Sequence, residues 1–321
     1  MDPLNKNPAP LPPDEDLTEV RKPASLLIAQ FFLFPLIIIG ICVGLFLFFG
    51  YLTYDQRTPP QYLSDIRSGS GTQRWQAAFE LSNLVQSNPR EIGTPEFVES
   101  LMAAYKDSPD EDIRVRGYLA LILGKLQAHA AVPLLLDGLL REEKLKTKQW
   151  EGTGVFQLIP PPLSEISEDL IRSQISVLWA LGSIGDNAAV PGVLEQVKNQ
   201  DPSIRLTATY VAGVLGDQRA VEPLRPLLND TREDVRWSTA VALAQLGNSE
   251  GAEVLTKLLD RSYVDSLQDF ALKQKTELRA NACRALGKLR YQPALEKIRT
   301  VSESDLETDV RKACLEALKN F

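Results

Sequence analysis

The sequence contains very few of the side chains that bind metals or form disulfides. Its 321 residues include one histidine, His129, and three cysteines, Cys42, Cys283 and Cys314. A zinc site with several Cys and His ligands lacks its residues, and so does a framework of disulfides. We therefore expect no metal site and no cofactor.

Positive charge is also scarce. The chain has 35 Lys and Arg residues against 42 Asp and Glu residues, which gives a formal net charge of −7. Surfaces that bind nucleic acids are normally basic, because they neutralise phosphates. The charge balance therefore argues against nucleic acid as a partner.

One long apolar run interrupts an otherwise mixed sequence. No charged residue occurs from Pro23 to Tyr54, and residues 31–52 read FFLFPLIIIGICVGLFLFFGYL. A helix of that length spans about 33 Å, and a bilayer's hydrocarbon core is about 30 Å thick. The run predicts one transmembrane helix within residues 23–54, retained as a membrane anchor.

The flanks of this helix give its predicted orientation and two further segments. Arg21 and Lys22 are the closest basic pair and favour a cytoplasmic N-terminus in a bacterial inner membrane. Residues 1–22 are rich in Pro and acidic residues and predict a disordered tail. Residues 55–72 predict a linker with a short helix.

Two glycines within the apolar run, Gly40 and Gly44, have a GxxxG spacing. Small residues on one helix face let two membrane helices approach closely, so this face is a candidate for homodimerisation. Alternatively, the spacing reflects how common glycine is in membrane helices.

Residues 73–321 form a series of repeats. The unit that starts at Ile204 is followed by a similar unit at Val235, so the basic period is 31 residues. Each unit predicts a first helix that ends at a glycine, then an Asp or Asn that caps a second helix. A period of this size indicates stacked helical pairs. We expect an all-α solenoid of about six pairs, with a closing helix at residues 310–320.

The repeated motif reads V/I-R-x-x-A-x-x-A-L-G-x-L-G-D and then A-V-x-P-L/V-L. It resembles HEAT repeats of the short bacterial type, which also occur in phycobilin (PBS) lyases and in deoxyhypusine hydroxylase. The resemblance implies an armadillo-like solenoid that serves mainly as a docking surface. The hydroxylase's iron site needs paired His-Glu motifs, whereas His129 has no neighbouring Glu and falls in an inter-helix turn.

The other candidate sites are weak or have two interpretations. Cys283 and Cys314 fall among Ala and Leu on first helices, where we expect buried, inert thiols. An arginine recurs at one position of the first helices, with Gln174 replacing it once. These arginines form either an anion-binding stripe or a ladder of ion pairs between repeats, with a neighbouring acid such as Asp234, Glu277 or Asp309. The members are Arg74, Arg116, Arg205, Arg236, Arg279 and Arg311.

The longest insertion, residues 141–168, combines basic and aromatic side chains. It is either a binding loop for an acidic partner or lipid headgroups, or a helix extension that folds back over the solenoid. The candidate partner-binding residues are Arg141, Lys144, Lys146, Lys148, Trp150 and Phe156.

Together these patterns predict a membrane-anchored, non-catalytic scaffold. We expect it to dock a protein partner on the concave face formed by the second helices, together with the insertion. The alternative is an enzyme or ligand-binding module of the HEAT-like lyase or hydroxylase kind.

Overall fold

The computed structural model describes residues 32–52, 57–151 and 165–321. The chain divides into two units, Met1–Arg57 and Thr58–Phe321. All regular secondary structure in the described residues is helical. The first unit contains α1, Phe34–Leu52, and the side chains of residues 34–50 are all exposed.

The membrane assignment is corrected by the structure. Helix α1 covers 19 residues of the predicted span, and residues 23–31 and 53–54 of that span lie outside the described part of the chain. In the part of the chain that the structure describes, no helix is both long and apolar enough to cross a membrane. The predicted single-pass anchor and membrane localisation are therefore wrong.

The second unit contains sixteen further α-helices among its described residues. They are α2 Pro59–Ser68, α3 Gly71–Ser87, α4 Pro89–Ile92, α5 Pro95–Asp107, α6 Ile113–Lys125, α7 Val132–Glu151, α8 Glu165–Ile184, α9 Val190–Gln196, α10 Pro202–Leu215, α11 Val221–Leu224, α12 Glu233–Gln245, α13 Ala252–Leu258, α14 Arg261–Asp265, α15 Leu272–Leu289, α16 Leu295–Ser304 and α17 Thr308–Leu318.

These helices form a solenoid of stacked pairs. The first helices of the pairs are α3, α6, α8, α10, α12 and α15, and the second helices are α5, α7, α9, α11, α13 and α16. Each first helix packs against the next one along the chain, and α17 packs against α15 to close the series. The six pairs and the closing helix agree with the number of units that the repeat period predicts.

The turns within the pairs have the chemistry that the sequence predicts. Gly185, Gly216 and Gly247 follow first helices with φ of 71°, 70° and 78°. Glycine is favoured there because a Cβ destabilises the left-handed conformation. Asp186 and Asp217 then accept hydrogen bonds from backbone N–H groups two residues later, at 2.9 and 2.8 Å.

Glycine and alanine set the spacing of the first helices. A Cβ placed on Gly124 would come within 2.5 Å of the Ala180 Cα on the next first helix. Gly213 packs against Ala242 in the same way, because its ideal Cβ would lie 2.9 Å from the Ala242 Cα. These backbones therefore pack directly against each other, which explains the small residues in the repeat.

The cysteine prediction is partly wrong. Cys283 on α15 and Cys314 on α17 are fully buried, as expected, but they form a disulfide with a Cα–Cα distance of 4.9 Å. Each lies on the face that its helix turns toward the other. The disulfide therefore links the last pair to the closing helix.

Candidate functional site

Three of the recurrent arginines tie neighbouring repeats together. Arg205 on α10 donates two hydrogen bonds to Asp230, which precedes the next first helix. Arg74 pairs with Asp112 at 3.0 Å, and Arg279 pairs with Asp305. The acids that the sequence suggested were instead Asp234, Glu277 and Asp309.

Several of these arginines also close their own loop. Arg205 and Arg236 each donate through Nη1 to two backbone carbonyls that lie five and six residues earlier. Guanidinium groups held by carbonyls and carboxylates are poorly placed to bind an external anion. The ion-pair ladder is thus the interpretation that the structure supports.

A buried polar cluster lies where α5, α6, α7 and α8 meet. The Ser173 hydroxyl donates to Glu142 Oε1 over 2.5 Å, and Arg116 Nε lies 3.5 Å from the same oxygen. Arg116 and Glu142 are both completely buried. Burial raises the pKa of Glu142 to about 7, although the Ser173 hydrogen bond and Arg116 oppose the shift. The sequence pointed to Arg116 as one of the recurrent arginines but not to Glu142 or Ser173.

His129 lies in the turn between α6 and α7, as the sequence predicts. Its side chain is 63% exposed, and Nδ1 lies 3.2 Å from Asp186 Oδ2 in the next turn. In residues 32–52, 57–151 and 165–321, no group of three or more His, Cys, Asp and Glu side chains is placed to hold a metal ion. His129 thus links two adjacent turns.

The insertion residues lie partly in a helix. Helix α7 continues to Glu151, so the backbone of Lys144, Lys146, Lys148 and Trp150 is helical. The Lys144 side chain is exposed, those of Lys146, Lys148 and Trp150 are outside the described part, and so is all of Phe156.

Arg141 is already engaged within the solenoid. Its Nε donates to Asp110 Oδ1 over 2.8 Å, and its Nη2 donates to the Ser108 carbonyl over 2.7 Å. Arg141 therefore secures the start of the preceding loop. Partner binding by the remaining insertion residues stays a prediction.

Gly40 and Gly44 lie on α1, one helical turn apart. A Cβ at either position would meet nothing within 4 Å, so both leave an open strip on the helix. Dimerisation through this strip also stays a prediction.

The first helices carry an exposed apolar row that the sequence analysis missed. We define the outer row as Phe79, Leu121, Trp179 and Tyr210, each five residues after the ladder position of its own helix. Phe79, Trp179 and Tyr210 are 40%, 43% and 43% exposed, and Leu121 is half-buried. The Trp179 and Tyr210 ring centroids lie 5.0 Å apart, so neighbouring helices present one continuous aromatic surface.

A groove opens beside the N-terminal end of this row. We call it the α3–α6–α8 groove, after the helices that line it, and its volume is about 280 Å³. Tyr118 borders it and also packs edge-to-face on Phe79, with 5.6 Å between the ring centroids. The groove and the outer row therefore adjoin through Tyr118. The groove is lined by Trp75, Ile113, Arg114, Gly117, Tyr118, Asp169, Arg172, Ser173 and Ser176.

Two protein families match parts of this solenoid. HEAT repeats match residues 190–269, and the PBS lyase HEAT-like repeat matches residues 115–141. No curated protein matches the sequence significantly.

Solved structures with similar folds cover most of the chain. The complex of CpcE and CpcF of phycocyanin lyase from Nostoc sp. PCC7120 is similar, with 18% identity and a TM-score of 0.50. The match covers 83% of this chain and 96% of that chain. Human deoxyhypusine hydroxylase in complex with glycerol has 20% identity and a TM-score of 0.31, with 82% and 94% coverage.

These likenesses concern the fold. Both family matches fall within the stacked pairs. Residues 190–269 therefore match HEAT repeats, and residues 115–141 match a repeat of the PBS lyase HEAT-like type.

Proposed function

We propose that the solenoid is a non-catalytic docking module and that a protein partner binds along the outer row. The observation that carries this proposal is the recurrence of apolar residues at one position of four consecutive first helices, three of them exposed aromatic residues. A face of a helical pair that contacts solvent is normally polar, and contiguous apolar patches mark interaction sites. Tyr and Trp are also enriched among the residues that dominate binding at interfaces.

The outer row supplies a moderate driving force. Covering the exposed parts of its three aromatic rings removes roughly 300 Å² from water, or about 7 kcal/mol of gross transfer free energy at 25 cal/mol per Å². Association costs about 4–15 kcal/mol in lost freedom. The row by itself therefore suits a weak contact, and tight binding needs further contacts beside it.

The similar lyase structure supports docking as a use of this fold. CpcE and CpcF are seen there as a complex. At 18% identity the likeness concerns the fold, so the partner of this chain has to be found by experiment.

The test is photo-crosslinking in the native cell with benzoylphenylalanine placed at Phe79. We expect one dominant crosslinked protein, which disappears when Trp179→Ala and Tyr210→Ala are added in the same chain. The matched control places the crosslinker at Leu315, an apolar residue on α17 that is 51% exposed. The same products from both positions, or products that survive the double substitution, would refute docking on the outer row.

The second candidate is a lyase-like or ligand-binding module, which the PBS lyase HEAT-like match at residues 115–141 favours. Absorption spectra and metal analysis of the purified full chain separate the two functions. A chromophore or metal bound in stoichiometric amount would support the second candidate and count against a purely docking role.

A further inference from the structure

The α3–α6–α8 groove combines aromatic walls, a polar floor and the exposed guanidinium group of Arg172. We infer that it receives an aromatic side chain with a carboxylate beside it, presented by the protein that docks on the outer row. This inference rests on the proposed function, because the groove adjoins the outer row through Tyr118.

The walls suit a flat apolar group. The Trp75 and Tyr118 side chains are half-buried, so each ring keeps one part in the protein and one part facing the groove. Ile113 adds an apolar contact. Aromatic rings pack on one another at centroid distances of about 4.5–7 Å. Such packing adds to the free energy gained when a ring in the groove is removed from water.

The floor is open because of one glycine. A Cβ at Gly117 would lie 3.5 Å from both Ser173 Cα and Ser176 Oγ, so a longer side chain there would fill the space. The two serine hydroxyls already donate within the protein, Ser173 to Glu142 and Ser176 to the Arg172 carbonyl. They therefore line the groove without needing a hydrogen bond from the ligand.

An exposed arginine beside the groove suits a carboxylate. The lining has two guanidinium groups and one carboxylate, and Glu168 next to it supplies a second carboxylate. Asp169 is engaged by Arg114 Nε at 2.7 Å. Arg172 has a longer contact of 3.3 Å with Glu168 one turn away, and the two side chains are 75% and 56% exposed. An exposed pair of this kind contributes little, so Arg172 can turn to an incoming carboxylate.

The size fits one side chain. A groove of about 280 Å³ lies just below the usual range of sites for whole small molecules, which begins at about 300 Å³. An anchor residue of a protein partner is smaller than such a ligand, and anchors that fill small clefts dominate many interfaces.

Blocked dipeptides test the inference with the full chain. We would record indole N–H signals of the labelled protein and assign Trp75 with the variant Trp75→Phe. The acetyl-Asp-Phe amide should shift the Trp75 signal at millimolar concentration. Acetyl-Asn-Phe amide and acetyl-Asp-Ala amide should each bind at least about threefold more weakly, since each lacks one of the two recognised groups.

Two arginine variants make the result specific. Arg172→Gln should remove the difference between the Asp and Asn peptides, whereas Arg284→Gln, on the exposed side of α15, should preserve it. Equal binding of the three peptides, or no shift at Trp75, would overturn the inference. Crosslinking at Phe79 tests docking on the outer row independently of the groove. A negative result with the peptides would therefore overturn the groove assignment and leave the docking proposal intact.

Discussion

Arg205 and Asp230 form a bidentate ion pair between consecutive repeats. Nε lies 2.8 Å from Oδ2 and Nη2 lies 2.9 Å from Oδ1, and the two side chains are 14% and 7% exposed. The hydrogen bonds from Arg205 hold the pKa of Asp230 below its ordinary value. One guanidinium therefore closes its own loop and fixes the start of the next pair.

Removal of this arginine should weaken the stack. Arg205→Ala leaves the Asp230 carboxylate nearly buried and without its partner, so we expect a loss of about 2–3 kcal/mol in unfolding free energy. Arg205→Lys should recover part of it, because lysine keeps the charge and lacks the two-pronged geometry. Urea denaturation measures both changes.

The control for this pair is Arg219→Ala. Arg219 is 58% exposed, and its ion pair with Asp217 lies within one turn, so the expected change is below about 1 kcal/mol. Equal losses for Arg205→Ala and Arg219→Ala would contradict the role of the ladder.

Glu142 should make the solenoid less stable as pH rises. Burial raises its folded-state pKa to about 7, above the roughly 4.3 of an unfolded chain. The folded state therefore holds a proton that the unfolded state releases, and stability is lost as pH increases from about 4 to 7. The loss is on the order of 3 kcal/mol by linkage.

The variant Glu142→Gln isolates this effect. The unfolding free energy of the variant should rise relative to that of the parent as pH increases from 4 to 8, because the glutamine does not ionise. Glu253→Gln, an exposed position on α13, should leave the parent's pH profile unchanged. Parallel profiles for the parent and Glu142→Gln would show that Glu142 does not titrate in this range.

The Cys283–Cys314 disulfide should contribute measurably to stability. It closes a loop with a sequence separation of 31 residues, for which chain entropy predicts about 3–4 kcal/mol. Reductant should lower the midpoint of urea unfolding of the parent and leave the double variant Cys283→Ala/Cys314→Ala unaffected. Alkylation of the unreduced, unfolded chain should modify one thiol, that of Cys42; three modified thiols would exclude the disulfide.

Close helix packing makes Gly213 intolerant of a side chain. Its ideal Cβ would lie 2.6 Å from Gln245 Oε1 and 2.8 Å from Ala242 Cβ. Gly213→Val should therefore cost about 2–3 kcal/mol through overpacking and displaced helices. Gly71→Ala is the control, because nothing lies within 4 Å of its Cβ at the start of α3. Equal losses of thermal stability in the two variants would argue against direct backbone contact at Gly213.

Much of the fold follows from local chemistry in the sequence. Gly216 and Asp217 specify a left-handed stop and a cap within two residues, so the turn could be placed without knowledge of the tertiary structure. The same pair of signals recurs at Gly185-Asp186 and, with asparagine, at Gly247-Asn248, so the 31-residue period and the helical pairs that follow from it could be predicted as well.

The candidate site was harder to predict because burial depends on helix rotation. Trp179 and Tyr210 lie in Ala-rich and Leu-rich helices, where apolar residues at helical spacing usually belong to the core. Their shared place five residues after the ladder position was the available signal. Cys283 lies four residues after Arg279, and Cys314 lies three residues after Arg311. Placing these two positions on the faces of their helices could have suggested that the two side chains are in contact.

The break in the ladder has a mechanical consequence. Gln174 occupies the arginine position on α8 and donates to Glu143, on the preceding second helix, over 3.1 Å, so no guanidinium clamp extends from this helix toward α10. In a stack whose members contact mainly their neighbours, a pulling force passes through the junctions in series. The α8–α10 junction therefore depends on side-chain packing, whereas the α10–α12 junction also has the Arg205–Asp230 clamp, so tension should separate α8 from α10 before it separates α10 from α12.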